Sequence, residues 1–574
     1  MGAGKRKETK LAIDKADKVF INGTVYTSGK NSHFEKAVAI RDGKFIFVGD
    51  NNEIRSWIDR DTEVIDMNGK LILPSFFEAH GHAQAMAQLM FSVNLTETES
   101  FNEYIELVSG FINEHSEYQC ITGNGWTNTV FPPWGPGKED LDAISTEIPI
   151  ALWSVDHHSL WVNSKALHIA GITKDTPDPK GGRIEKNQQG EPSGTLREGA
   201  AELVMKAIPD FTVEQYKAAI IEYQGIANRL GFTGSFDAVL NAGSNAVTAY
   251  KELASGGDLT LYFRGAYSYD VGKGLEQIQT FRDAREKDNT SELFRINTVK
   301  IFEDGVIEGA TAYLVEPYAE GANKPKGYRG EPIWQKEVLK QTFAEIEKND
   351  FQIHVHSVGD AATKETLDAF EFAKQKNKKN DQRHAITHLQ IVDFGDIPRF
   401  KQLGIIAVAN PYWFMKDDYY YNLQIPYLGA DRAEKEYPLK SFIKEGVVVA
   451  SASDFPVTFE PNPLSGIEIG VTRITPEFLL PIIYSDPDNL KSKEPLWPDE
   501  KANVQDMVDS FTYHAAFAHF LEKQTGSIEV GKSADMIVLD KNIFDVRETE
   551  ISSAKVLLTL FKGKEVYRER RLNL

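Results

Sequence analysis

Residues Glu78-Ala79-His80-Gly81-His82 set two imidazoles two positions apart where an apolar run, Leu71 to Phe77, comes to its end. Alternate residues of a strand share a face, so both rings can aim at one point. Imidazole is the commonest protein ligand for zinc-like ions, and the carboxyl end of a strand is where an α/β barrel opens to substrate. The plain alternative is two histidines in a polar loop, and the pair alone does not choose.

Further along, Ile296-Asn-Thr-Val-Lys300-Ile-Phe-Glu-Asp304 carries a lysine inside a β-prone run. A barrel strand is covered on both faces, so an interior lysine needs a partner or a neutral state. Burial depresses a lysine pKa, and a neutral amine can add carbon dioxide to become a carbamate able to bridge two metals. A salt bridge from Lys300 to Asp304 is the competing reading. Phe351-Gln-Ile-His354-Val-His356 offers two histidines on one face; either is a candidate, and His356 is preferred because it lies nearer the strand end. Ile386-Thr-His388 and Ala452-Ser-Asp454 add an imidazole and a carboxylate. Any one of these is ordinary. Ligand-type residues ending the expected strands one, four, five, six and eight together are not.

These residues have to be positioned by a large fold. At 574 residues the chain exceeds the ~100–200 of a typical domain. Its middle alternates short apolar runs with helical patterns, the mark of repeated βα units and a parallel sheet. Eight strands are predicted: Leu71–Phe77, Gly231–Phe236, Leu259–Gly265, Ile296–Glu303, Phe351–His356, His384–His388, Gly404–Ala409 and Gly446–Ala452. This predicts an α/β fold, a (β/α)8 TIM-like barrel over 74–523. The excess length is an insertion after strand one, about 95–205, read as a lid or small subdomain or else as an elaborate loop. Both ends of the chain read as β. Asn22-Gly23, Asp42-Gly43 and Asn68-Gly69 signal hairpins near the start, and Lys562-Gly563 another near the end. A discontinuous β-sandwich from 16–73 and 524–574 follows.

A net charge of −20 argues against a general nucleic-acid binder, which needs a basic surface. One cysteine, Cys120, makes no internal disulfide, which suits a cytoplasmic setting. No apolar run reaches the ~18 residues of a membrane span. The first ten residues read as a polar, basic, disordered lead-in rather than a secretory signal.

Taken together, several stretches resemble the metal-dependent amidohydrolase superfamily, and within it the amidohydrolase-3 or YtcJ-like group that includes N-substituted formamide deformylases. They are Leu73-Pro-Ser-Phe-Phe-Glu-Ala-His80-Gly-His82, Val155-Asp-His-His158-Ser-Leu-Trp-Val-Asn163, Val299-Lys300-Ile-Phe-Glu-Asp304, His356-Ser-Val-Gly-Asp360, His388-Leu-Gln390, Ser453-Asp454-Phe-Pro456 and Gly526 to Asp535. The resemblance implies one or two divalent metals, usually Zn2+, and hydrolysis of carbon–nitrogen bonds other than peptide bonds. It implies that His80, His82 and Asp454 hold the more buried metal. Lys300, if carboxylated, bridges to a second metal on His356 and His388. Asp454 is then the general base. Glu78 stands where the family usually has Asp, and Thr387 where Glu often precedes the histidine; neither is a proposed ligand.

The expected partner is a small-molecule substrate, and paired subunits are expected by analogy. Trp126, Trp153 and His158 either line its pocket or form the insertion's own core. Hydrolysis of C–O bonds on the same site, and a non-catalytic scaffold, are the alternative functions.

Overall fold

The computed structural model describes residues 15–96, 98, 100–127, 130–132, 134–154, 159–179, 182–458, 461–483 and 493–570. The basic lead-in and His158 lie outside the described residues. The chain divides into two compact units, one of residues 84–220 and one of the remainder.

In the larger unit eight strands form one parallel sheet in chain order: Phe76–Gly81, Phe232–Leu240, Tyr262–Ser268, Phe294–Phe302, Gln352–Ser357, Ala385–His388, Ile406–Ala409 and Val449–Ser451. Each expected strand is present, but the first is corrected. The run read as Leu71–Phe77 is two strands: Leu71–Pro74 pairs with Thr24–Tyr26 and Met536–Leu539, whereas Phe76–Gly81 opens the barrel. The break falls at Ser75, whose N–H donates to Asp535 O at 3.2 Å while the next N–H, of Phe76, donates to Gly231 O at 2.9 Å. Continuous apolarity hides such a break, because both strands are buried on both faces.

The barrel is nearly closed. Where strand eight meets strand one, Asp454 N donates to His80 O at 2.9 Å and His82 N to Phe455 O at 2.8 Å. Glu78 clamps the same seam, accepting from Ser453 N at 2.9 Å and Ser453 Oγ at 2.5 Å. Helices between strands pack one apolar stripe inward; in Lys336–Lys348 the stripe is Leu339, Phe343 and Ile346, spaced four and three.

Strands from both chain ends make two further sheets. One has four strands, in the order Lys44–Gly49, Ala37–Arg41, Lys18–Ile21, Glu63–Asp66. The other has six, running Lys564–Arg568, Val556–Phe561, Met536–Leu539, Leu71–Pro74, Thr24–Tyr26, Phe34–Glu35. One core cluster joins them through Phe20, Val38 and Phe45 with Ile72, Val538 and Leu558. Asp42-Gly43 and Lys562-Gly563 make the expected hairpins. Asn22-Gly23 and Asn68-Gly69 do not: each carries the chain from the four-stranded sheet to the six-stranded one. The left-handed backbone that Asn and Gly tolerate serves a corner as well as a hairpin.

Residues 84–220 carry their own six-stranded sheet and hydrophobic core, more than an elaborate loop would. Among the described residues no helix is long and apolar enough to cross a membrane.

Candidate metal centre

Side chains from strands one, four, five, six and eight converge at the carboxyl ends of the barrel. His80 Nε2 and His82 Nε2 stand 3.2 and 3.0 Å from the same oxygen, Asp454 Oδ1. That oxygen is buried, and neither imidazole is aligned to give it a well-angled hydrogen bond. Two ligands sharing an ion at ~2.0–2.2 Å stand about 3 to 3.6 Å apart, so the spacing is that of a coordination edge. His80, His388 and Asp454 each bring a donor atom within 4.8 Å of the others. The His388 ring lies 5.2 Å from His80 and 4.6 Å from His356.

Neighbouring groups fix which nitrogen of His356 and of His388 is bare, and hold the His80 ring in place. His356 Nε2 lies 3.1 Å from Gly305 O; a carbonyl only accepts, so Nε2 carries the proton and Nδ1 is free. Asn410 Nδ2 donates to Ala452 O at 3.4 Å, which turns Asn410 Oδ1 toward His388 Nδ1 at 3.1 Å and leaves His388 Nε2 bare. His80 Nδ1 faces His354 Nε2 at 2.7 Å, leaving its Nε2 for Asp454's side of the site. A second partner that orients each imidazole is what metal-binding histidines ordinarily have.

The electrostatics agree. Burial holds His80 and His388 well below the ordinary imidazole range, with Lys300 adding to the effect on His80 and His356 to that on His388. Burial and Lys300 bring His356 down to about 4. All three are neutral, with lone pairs available. Burial pushes the Asp454 carboxyl up, but His82 and Lys300 outweigh it and hold the group below its usual range. Burial lowers Lys300 to about 7, with Asp454 opposing.

The salt bridge weighed for Lys300 is not formed. Asp304 instead accepts from Tyr313 N, Val358 N and Gly359 N at 2.8–3.0 Å. The buried lysine packs its Nζ 4.9 Å from the Phe302 ring centre, with no carboxylate in ion-pair range among the described residues.

Backbone strain marks the same place: His388 and Asp454 have φ of 78° and 60°. A residue with a side chain occupies that region at a cost of about 1–3 kcal/mol, tolerated where surroundings enforce it.

For Trp126 the geometry favours the second of its two readings, the insertion's own core. It has no exposed surface, packs with Trp161 and Phe131 in the core of 84–220, and donates Nε1 to Leu152 O at 2.7 Å, so it is structural. Trp153 is partly buried against the neighbouring core cluster of that unit. Sequence reasoning missed Asn410 and the clamp made by Glu78. The Asn410-Pro411 step after strand seven was the available signal for the first; nothing marked the second, whose partner is 375 positions away. His354, weighed and set aside as a ligand, is the orienting partner of His80.

A parallel barrel with neutral imidazoles and an ionised aspartate gathered at its strand ends is the architecture of a metal-dependent hydrolase. The model of the family described as "Amidohydrolase family" matches residues 63–567, and the chain belongs to that family. It is 26% identical to the protein YtcJ of Bacillus subtilis over 557 residues, 96% of this chain and 99% of that protein. It is 27% identical to the N-substituted formamide deformylase of Arthrobacter pascens, over 95% of this chain and 97% of the relative. Both support the YtcJ-like group. A metal-dependent hydrolase of Pyrococcus furiosus shares the fold with a TM-score of 0.73 at 24% identity, over 92% of this chain and all of that one.

Proposed function

We propose that this amidohydrolase-family hydrolase cleaves a carbon–nitrogen bond outside peptides, in a small amide or N-substituted formamide. The observation that carries the reading is the convergence of His80, His82, His388 and Asp454, with buried Asp454 Oδ1 faced by two imidazole nitrogens at 3.0 and 3.2 Å. The likeness to a formamide deformylase supports the choice of bond.

His80, His82 and Asp454 would hold one divalent ion, with zinc suited to the imidazole and carboxylate donors. His356, His388 and a carbamate of Lys300 would hold a second. An ion held there would supply Lewis-acid chemistry, polarising a carbonyl and lowering the pKa of a water toward ~7. Asp454, ionised, takes the proton of the attacking water and returns it to the departing nitrogen. Hydroxyl adds to the carbonyl carbon, the C–N bond breaks, and a carboxylic acid and an amine result. Gly305 O and Asn410 hold the two ring orientations this requires. The terminal strands, 16–73 and 524–574, form a composite domain beside the barrel of 74–523.

The test is a metal count on the purified protein, then a panel of N-substituted formamides, simple amides and esters with and without chelator. Amide turnover that chelator removes and zinc restores is expected. Ester turnover alone would make the enzyme a C–O hydrolase, and no metal with no turnover would leave a scaffold.

A further inference from the structure

Within the 84–220 unit a cleft of about 740 Å3 opens between helix Met86–Phe91, the turn at 117–120, and the segment from Met205 into helix Val213–Arg229. Small-molecule sites typically enclose ~300–1,000 Å3. A continuous row of rings lines it. Tyr118 meets Phe91 edge-on at 6.3 Å, Phe91 lies 6.4 Å from Phe211, and Phe211 meets Tyr216 edge-on at 5.8 Å.

The charged side chains that line the cleft are all acidic. Glu117, Asp210 and Glu214 line the cleft, and no lysine, arginine or histidine does among the described residues. Lys217 offsets Glu214 at 3.2 Å, and His115 stands 3.7 Å from Glu117. Asp210 accepts from the Tyr216 hydroxyl at 2.8 Å, a neutral donor that leaves its charge in place. The helix beginning at Val213 provides no counter-site for an anion. Thr212 N donates to Gln215 Oε1 at 2.9 Å and Gln215 N donates to Thr212 Oγ1 at 3.2 Å, closing its first turn on itself. Cys120, also in the lining, is no nucleophile, because burial pushes its thiol up to about 12.

We propose that this cleft is a binding site for a small organic ammonium ion bearing an aryl or alkyl group, independent of the metal centre. Ring faces attract cations through their quadrupole, and the attraction is strongest for weakly hydrated ammonium groups. Carboxylates beside the rings add Coulomb attraction, and the protein's net charge of −20 raises the local concentration of cations. The apolar portion of such a ligand covers ring surface that water otherwise wets.

The experiment is calorimetric titration of the full chain with benzyltrimethylammonium, its uncharged carbon isostere neopentylbenzene, and phenylacetate. Saturable one-to-one binding of the ammonium is expected, at least about tenfold tighter than either comparison compound. Chelator-stripped protein should bind equally well. Tyr118→Ala and Phe91→Ala should each weaken binding by about fivefold or more, and Tyr118→Phe should retain it. Asp210→Asn, at an exposed position, should weaken binding and flatten its salt dependence. The proposal is overturned by absence of saturation at ~10 mM ammonium. Equal affinity for neopentylbenzene, or loss of binding when the metal is stripped, overturns it as well. So does unchanged affinity in Asp210→Asn together with whichever ring variant folds.

Discussion

Two carboxylates, one at the barrel mouth and one where helix Val504–Phe511 meets the end sheets, show how differently a protein can treat the same group. Asp509 is met by hydroxyl donors: Tyr26 Oη at 3.0 Å and Ser28 Oγ at 2.5 Å. Burial still pushes it up to about 6, because hydroxyls do not neutralise a charge. Asp454 is more buried, yet is held below the usual carboxylate range, with His80 and His82 at 3.2 and 3.0 Å from its Oδ1. The first is a joint. The second sits with His80, His82 and His388 in an arrangement that could hold a metal ion.

The contrast breaks most plainly if the mouth is not a metal site. His80→Ala combined with His82→Ala should empty it and reduce turnover by more than about 10⁴-fold, since metal activation of water supplies the nucleophile at neutral pH. Elemental analysis beside the amide assay reads both. Asp454→Asn should keep at least one metal and lose ~10²–10⁴ in turnover; an Asn variant with full activity excludes the general-base role.

Glu78→Ala takes away the acceptor of three donors, His80 N at 3.1 Å and both Ser453 groups, and opens the seam between strands one and eight. A stability loss of about 2–4 kcal/mol by denaturant unfolding is expected, with weaker metal binding. Asn410→Ala frees the His388 ring to turn and should cost ~10–100-fold in metal affinity with little change in melting temperature. Competition with a chromogenic chelator measures it.

Asp509 makes the smallest change, and one of opposite character. Its pKa is raised on folding, from an ordinary 3.8 to about 6, so the unfolded chain releases the proton first. Stability therefore falls as pH rises from roughly 4 to 6, by about 1 kcal/mol per unit at most. Thermal melts across that window should show the slope, and Asp509→Asn should remove its share. An unchanged slope in the variant would erase the distinction between the two carboxylates.

Much of the site was legible because its residues are of unusual type for their positions. Histidines and a lysine in runs that must be buried are conspicuous, and strand periodicity tells which of them share a face. His356 and His388 were recognisable that way, as was Lys300. Glu78 was visible but not its work, because a glutamate clamp across a barrel seam has no local pattern. Trp126 illustrates the reverse. An indole reads equally as pocket or core, and only the carbonyl of Leu152 and the ring of Trp161 around it decide.

The order of barrel strands, the two β-rich ends and the placing of the candidate ligands at strand ends were determined by the sequence itself, through local periodicity and the cost of burying polar groups. Only the tertiary structure decided that Leu71–Pro74 belongs to a different sheet from Phe76–Gly81, and that two of the Asn-Gly pairs are corners. It also decided which nitrogen of His356 and of His388 is bare. Those outcomes depend on partners tens to hundreds of residues away, and a chain read in order carries no record of them until closure brings the strands together.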